Sequence, residues 1–282
     1  MINIKKIFSF FKIHHSIKNI SIFLPIFASH QILNINYTQL IFFFFNITFL
    51  SLLVYCINNI YDYEYDLKNK NIIYKIDTTK KNLYYTLSVL IFFVQIVLLI
   101  YIEQKIWLIC LFYFILSILY NVYLKKIKYI DIVVVCIFHI VRIFYGSIAF
   151  NIDLTNYFLV FFICLFLMIV VNKRILEIEL KYLNRPYNLS DLKVLYPLQL
   201  ACAIISVIIF TMYIINPVSS GLFQNSYMLI INLIIFCFIL ANFIIYQRKY
   251  KIDVVIFFYK NKFNYLLCFL FLTVYFNNSL FF

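Results

Sequence analysis

Asn58, Asp62 and Asp66 stand at four-residue intervals in the run Asn58-Asn59-Ile60-Tyr61-Asp62-Tyr63-Glu64-Tyr65-Asp66. On a helix this i, i+4, i+8 spacing puts all three on one face. Two carboxylates and an amide oxygen grouped this way suit a hard divalent cation. Mg2+ takes one or two protein carboxylates and completes its shell with water and substrate phosphate. The same residues could also be an ordinary polar helix end paired with nearby lysines, although like charges at i, i+4 cost helix stability.

Three further constellations carry charge in or beside apolar runs. Lys173-Arg174-Ile175-Leu176-Glu177-Ile178-Glu179 closes one such run. Its cations could hold phosphate, and Lys173 and Glu177, at i, i+4, could equally form a helix-end ion pair. Tyr120-Asn121-Val122-Tyr123-Leu124-Lys125-Lys126 is followed by Asp131 and then Arg142. An arginine about halfway across a membrane span is expensive, and is either functional or paired internally. Gly146, one turn on and one of only 2 glycines, is expected to permit close helix packing. Lys18-Asn19, with Pro25 following, marks the start of another apolar stretch. The 4 His have no metal-ligand spacing and no Gly-rich phosphate loop exists, so nucleotide-driven pumping is unsupported. The 7 Cys are scattered singly, which supports neither zinc nor a disulfide framework.

The elements that must position these residues follow from composition. Of 282 residues, 65% are hydrophobic and 12% charged, about half the charged share of a soluble domain. Nine charge-poor stretches are long enough to span a bilayer, at 19–36, 38–59, 83–102, 106–123, 129–150, 154–172, 198–216, 227–246 and 264–281. Residues 1–18 mix Ile, Phe and Lys at helical spacing and are expected to lie as an amphipathic helix on the membrane surface. With nine spans and the N-terminus inside, 22 of the 24 Lys and Arg fall on the cytoplasmic face. Topology therefore accounts for the net charge of +13 without nucleic-acid binding. The two long inner loops, 60–82 and 173–197, hold most of the acidic residues. The expected fold is all-α, a single nine-helix domain over residues 1–282 with its chemistry on the cytoplasmic side of the membrane.

This pattern resembles the UbiA superfamily of intramembrane prenyltransferases. Its first motif is N-D-x-x-D-x-x-x-D, which Asn58, Asp62 and Asp66 match, with Asn59 where the first Asp would be. After the sixth span, where the superfamily has a second Asp-rich motif, this chain has Lys173, Arg174 and Glu177. That replacement, with Lys18, Asn19, Tyr120, Leu124, Lys125, Asp131, Arg142 and Gly146, resembles the decaprenyl-phosphate phosphoribosyltransferase branch. There are departures: Ser16 stands where the branch has Trp, and the basic run after the first motif is altered around Lys68, Lys70 and Lys75.

The resemblance implies Mg2+-dependent transfer of a 5-phosphoribosyl group from phosphoribosyl diphosphate to a membrane polyprenyl phosphate. It implies Asn58, Asp62 and Asp66 as metal ligands, and Asp62, Asp66 and Arg142 as catalytic residues. Lys18, Asn19, Asn58, Tyr120, Lys125, Lys173, Arg174 and Glu177 would bind substrate. The partners would be an isoprenoid lipid and phosphoribosyl diphosphate, with no nucleic acid, a homo-oligomer left open and a bacterial inner membrane as the location. The alternative enzyme is a polyprenyl diphosphate-dependent prenyltransferase acting on a small, aromatic acceptor. From another class stand a transporter, which would need spans broken at the midplane, and an inactive homologue, favoured by Asn59.

Overall fold

The computed structural model describes residues 13–29, 36–68, 81–180, 186–215 and 226–250, with 266, 267, 269, 270 and 273. Every regular element among them is helical. A 3-10 helix, Ile13–Phe23, runs into α1 (Leu24–Ala28), followed by α2 (Tyr37–Lys68), α3 (Lys81–Ile100) and α4 (Gln104–Val122). After a 3-10 turn, Leu124–Lys126, come α5 (Ile130–Ala149) and α6 (Asn156–Glu179). A second 3-10 turn, Leu189–Asp191, leads to α7 (Leu192–Ile215) and α8 (Ser226–Tyr250). Runs this rich in Ile and Phe are mediocre helix formers in water. In hydrocarbon the helix wins because it satisfies every backbone group within the segment.

Five of these segments are long and apolar enough to cross a membrane: Tyr37–Asn59, Gln104–Val122, Ile130–Ala149, Asn156–Glu179 and Leu189–Tyr213. Lys18–Ala28, Tyr85–Ile100 and Ile230–Ile245 are shorter apolar helices. These eight correspond in order to the first eight stretches read from the sequence, and the ninth, 264–281, lies mostly outside the described residues. The protein is an integral membrane protein. Large apolar side chains such as Leu90 and Phe93 on α3 are outward-facing, each 59% exposed, as lipid contact requires.

The chain divides into two compact units. One comprises Met1–Asp153 with Leu183–Pro186, the other Leu154–Tyr182 with Tyr187–Phe282. The core of the first contains Ile22, Ile47, Leu50, Ile106, Val141 and Tyr145, drawn from the N-terminal 3-10 helix and from α2, α4 and α5. The core of the second joins α6, α7 and α8 through Met168, Cys202, Ala203, Phe236 and Leu240. There the rings of Phe161, Phe210 and Phe236 meet mutually at 5.2–5.4 Å.

The N-terminal segment departs from the sequence reading. Residues 1–12 lie outside the described ones, but the 3-10 helix passes without interruption through the expected boundary between surface helix and first span at residue 18. The cause is tertiary. A 3-10 helix stacks side chains three residues apart, which aligns Asn19 and Ile22, both of them buried. Eleven residues is long for this helix type, so packing must hold it. Gly146 on α5 supplies the seat: a Cβ there would lie 1.9 Å from the Ile22 carbonyl oxygen.

Gly146→Ala is therefore expected to force two backbones apart and to destabilise the protein by about 1–3 kcal/mol, the usual cost of overpacking. Thermal unfolding of the detergent-purified protein measures this, and an unchanged melting temperature would contradict the seat.

Candidate functional site

The 32 residues of α2 make a rod about 48 Å long, against roughly 30 Å for the hydrocarbon core. Its apolar span ends at Asn59, so the helix carries residues 60–68 beyond it. Asn58, Asp62 and Asp66 thus lie on one unbroken helix with the register the sequence predicts. The Asn58 amide Nδ2 donates to Asn121 Oδ1 on α4 at 2.8 Å, which orients the amide. Asn59 is turned inward and is 3% exposed. The side chains of Asp62 and Asp66 lie outside the described ones.

The connection from α4 to α5 collects polar groups. Tyr120, Asn121, Lys125 and Asp131 are all buried. The Tyr120 ring stands edge-on to Phe138 at a centroid distance of 5.7 Å. Lys125 sits in the 3-10 turn, and Tyr129 reverses the chain with a φ of 64°, a left-handed conformation uncommon outside glycine. That reversal places Asp131 in the first turn of α5, where the helix dipole favours a carboxylate. Lys125 and Asp131 both have partners within the protein.

Beneath this rim, Arg142 and Asn19 meet. Arg142 Nε donates to Asn19 Oδ1 at 3.0 Å, its NH2 group to the Tyr113 hydroxyl at 2.6 Å, and its NH1 group to the Phe138 carbonyl at 2.9 Å. The guanidinium carbon lies 5.3 Å from the Tyr113 ring centroid. Asn19 Nδ2 in turn donates to Ser51 Oγ at 2.8 Å and Thr48 Oγ1 at 3.2 Å on α2. Two residues singled out separately in the sequence, one as catalytic and one as substrate-binding, are bonded to each other. Lys18, the residue before Asn19, is half-buried, and its carbonyl accepts from Ser21 Oγ at 2.8 Å.

In the second unit, Arg174 is 1% exposed and ion-paired to Glu177, which is 18% exposed. The sequence offered Lys173 as the partner at i, i+4. Arg174 takes Glu177 instead at i, i+3, a spacing equally close on a helix surface, where the planar guanidinium is suited to a carboxylate. Lys173 is half-buried. Asn172, immediately before it, accepts from Gln199 Nε2 of α7 at 2.7 Å, with both residues buried. Tyr196, one turn before Gln199, donates its hydroxyl to Glu179.

Sequence reasoning missed Thr48, Ser51, Tyr113, Asn172, Tyr196 and Gln199. Tyr and Asn are so common in this composition that they carried no signal. Gln199 and Ser51, as polar residues inside apolar runs, were the readable clue. Among the described residues no cluster of three or more His, Cys, Asp or Glu could hold a metal.

A family model described as the UbiA prenyltransferase family matches residues 20–273. The chain belongs to the UbiA prenyltransferase family. It is therefore a transferase, and UbiA-family proteins act on isoprenoid lipids. A solved structure from work on digeranylgeranylglyceryl phosphate synthase in membranes shares the fold, with a TM-score of 0.62, 18% identity and coverage of 98% of each chain. No curated protein matches the chain.

Glu177→Ala is expected to strand the Arg174 charge in a buried position and to cost about 3 kcal/mol or more. Denaturation in detergent should show the loss, and should show it largely recovered in Arg174→Met/Glu177→Leu. Wild-type stability in Glu177→Ala would mean that the pair contributes nothing.

Proposed function

We propose that this UbiA-family transferase moves a 5-phosphoribosyl group from phosphoribosyl diphosphate to a membrane polyprenyl phosphate. The observation that carries this reading is the Arg174–Glu177 ion pair. Where the family's resemblance leads one to expect paired aspartates, this chain has a buried cation fixed by its own carboxylate, with Lys173 beside it. Such a site suits a phosphate rather than another metal ion.

The residues fit one Mg2+. Asn58, at the end of the apolar span, and Asp62 and Asp66, beyond it, offer hard oxygen ligands on an uninterrupted helix, and the Asn58 amide nitrogen donates to Asn121. When bound, Mg2+ neutralises charge on the departing diphosphate. Asp62 and Asp66 would hold the ion at the diphosphate end of the donor. Lys18 and Lys125 in the first unit, and Lys173 and Arg174 in the second, are the phosphate-binding residues of this reading. Tyr120 and Asn121, on α4, stand with the residues of the first unit. The bond from the ribose anomeric carbon to diphosphate breaks, and diphosphate leaves with the electron pair. An oxygen of the polyprenyl phosphate forms the new bond to that carbon. This nucleophile is already anionic, so no general base is needed. The isoprenoid tail lies along apolar helix surfaces. In this reading the chain is a single domain of nine spans, with residues 1–18 at the interface and with the N-terminus and site on the cytoplasmic side of a bacterial inner membrane.

A second reading has specific support. The family is described by prenyl transfer, and the structural relative comes from work on a prenyl-transferring synthase. Here the donor is a polyprenyl diphosphate, the same metal site binds its diphosphate, and a small molecule accepts the prenyl carbon.

Membranes containing the protein, given each radiolabelled donor in parallel with Mg2+, separate the two. Lipid-extractable label from phosphoribosyl diphosphate is expected. Label entering only from polyprenyl diphosphate would replace this proposal with the second. Asp62→Ala and Asp66→Ala are each expected to lower transfer at least 100-fold, as is chelation of Mg2+. Substantial turnover in either variant would remove the metal from the helix.

A further inference from the structure

We infer that Arg142 is a positioning residue, acting on the phosphate-binding rim through Asn19 rather than touching a substrate. The inference rests on the transferase reading above and assigns Tyr113, Thr48 and Ser51 to the same device.

Arg142 is 3% exposed, and each of its three nitrogens donates to a protein acceptor. The acceptors are an amide oxygen, a phenol and a backbone carbonyl. An arginine poised to neutralise a leaving group needs a free edge of its guanidinium toward the substrate. Here each guanidinium nitrogen already donates to a protein acceptor, and the ring of Tyr113 stands beside it. Asn19 is equally committed. It is 1% exposed, its nitrogen donates twice and its oxygen accepts from Arg142.

What this arrangement holds is the N-terminal segment. Asn19 is tied to α2 through Thr48 and Ser51, and to α5 through Arg142, while Tyr113 brings in α4. Three residues further along, Ile22 is seated on Gly146, which is one turn beyond Arg142. The 3-10 helix is thus gripped at two successive levels along the same face of α5. The backbone that carries Lys18 is fixed by its neighbour, and Ser51 anchors the same α2 that leads, about 10 Å further along its axis, to Asn58. Arg142 therefore sets where Lys18 stands relative to the metal-binding end of α2. Among the described residues only neutral groups accept its hydrogen bonds. Loss of Asn19 leaves a buried guanidinium short of an acceptor, and loss of Arg142 leaves Asn19 short of a donor.

A double-mutant cycle on transfer kinetics tests this with Asn19→Ala, Arg142→Gln and the pair, and with Tyr113→Phe, which keeps the ring and removes only the hydroxyl. Each single variant is expected to raise KM for the diphosphate donor about 10-fold or more with a smaller change in kcat. The double variant should be no more than about 3-fold worse than the poorer single, since neighbours in one network are not additive. Tyr113→Phe should shift KM in the same direction by a smaller factor while the protein keeps its melting temperature. Multiplying losses, or a fall in kcat at unchanged KM in Arg142→Gln, would place Arg142 on the substrate and overturn the inference while leaving the transferase reading intact. A wild-type protein inactive with both donors would overturn that reading, and this inference with it.

Discussion

A polar group in hydrocarbon has no water to turn to, and the fold of this protein is organised by that constraint. Asn19, Ser51, Tyr113 and Arg142 lie within apolar segments and are buried or nearly so. Their hydrogen-bonding groups find each other across four segments of chain. The consequence is specificity of position. Dispersion contacts among Ile and Phe can slide, since one apolar side chain replaces another at little cost. A guanidinium with three assigned acceptors cannot shift without losing one. The cluster of Asn46, Cys110 and Tyr145 repeats the arrangement deeper in the same unit, with Tyr145 donating to Asn46 at 3.0 Å.

The second unit solves the same problem with fewer parts. A buried amide pair, Asn172–Gln199, and the Tyr196–Glu179 hydrogen bond register α6 against α7 at the end that carries Lys173 and Arg174. Polar contacts between helices are worth only about 1 kcal/mol each in membranes. Their value here is that they fix the rotation of α6, and so decide which residues of the Lys173–Glu179 run face inward. Arg174 and Ile178 are buried while Lys173 and Glu179 are partly exposed.

Much of this was legible beforehand, for physical reasons. Charge-poor runs of about 20 residues have few options but to span, and of the first eight apolar stretches five emerge, in order, as helices long enough to cross and three as shorter apolar helices. The helical register of Asn58, Asp62 and Asp66 was readable because four-residue spacing means little on any other element. Gly146 was readable as a close-packing site because glycine is so scarce in this chain. The partners of Arg142 were not readable. Asn19 lies 123 residues away and the Tyr113 hydroxyl 29, and no local periodicity encodes such pairings. Nor could spacing alone decide between Lys173 and Arg174 for Glu177, since both fall within reach on a helix. The 3-10 form of residues 13–23 was hidden because tertiary packing, and not propensity, imposes it.

An experimental structure determined with Mg2+ and phosphoribosyl diphosphate bound tests the account most directly. The expected result is Asp62 and Asp66 converging on the metal-bound diphosphate, with Lys18 beside it and Arg142 still hydrogen-bonded to Asn19 below. Aspartates facing lipid, or Arg142 released from Asn19 and lying on a donor phosphate, would contradict it.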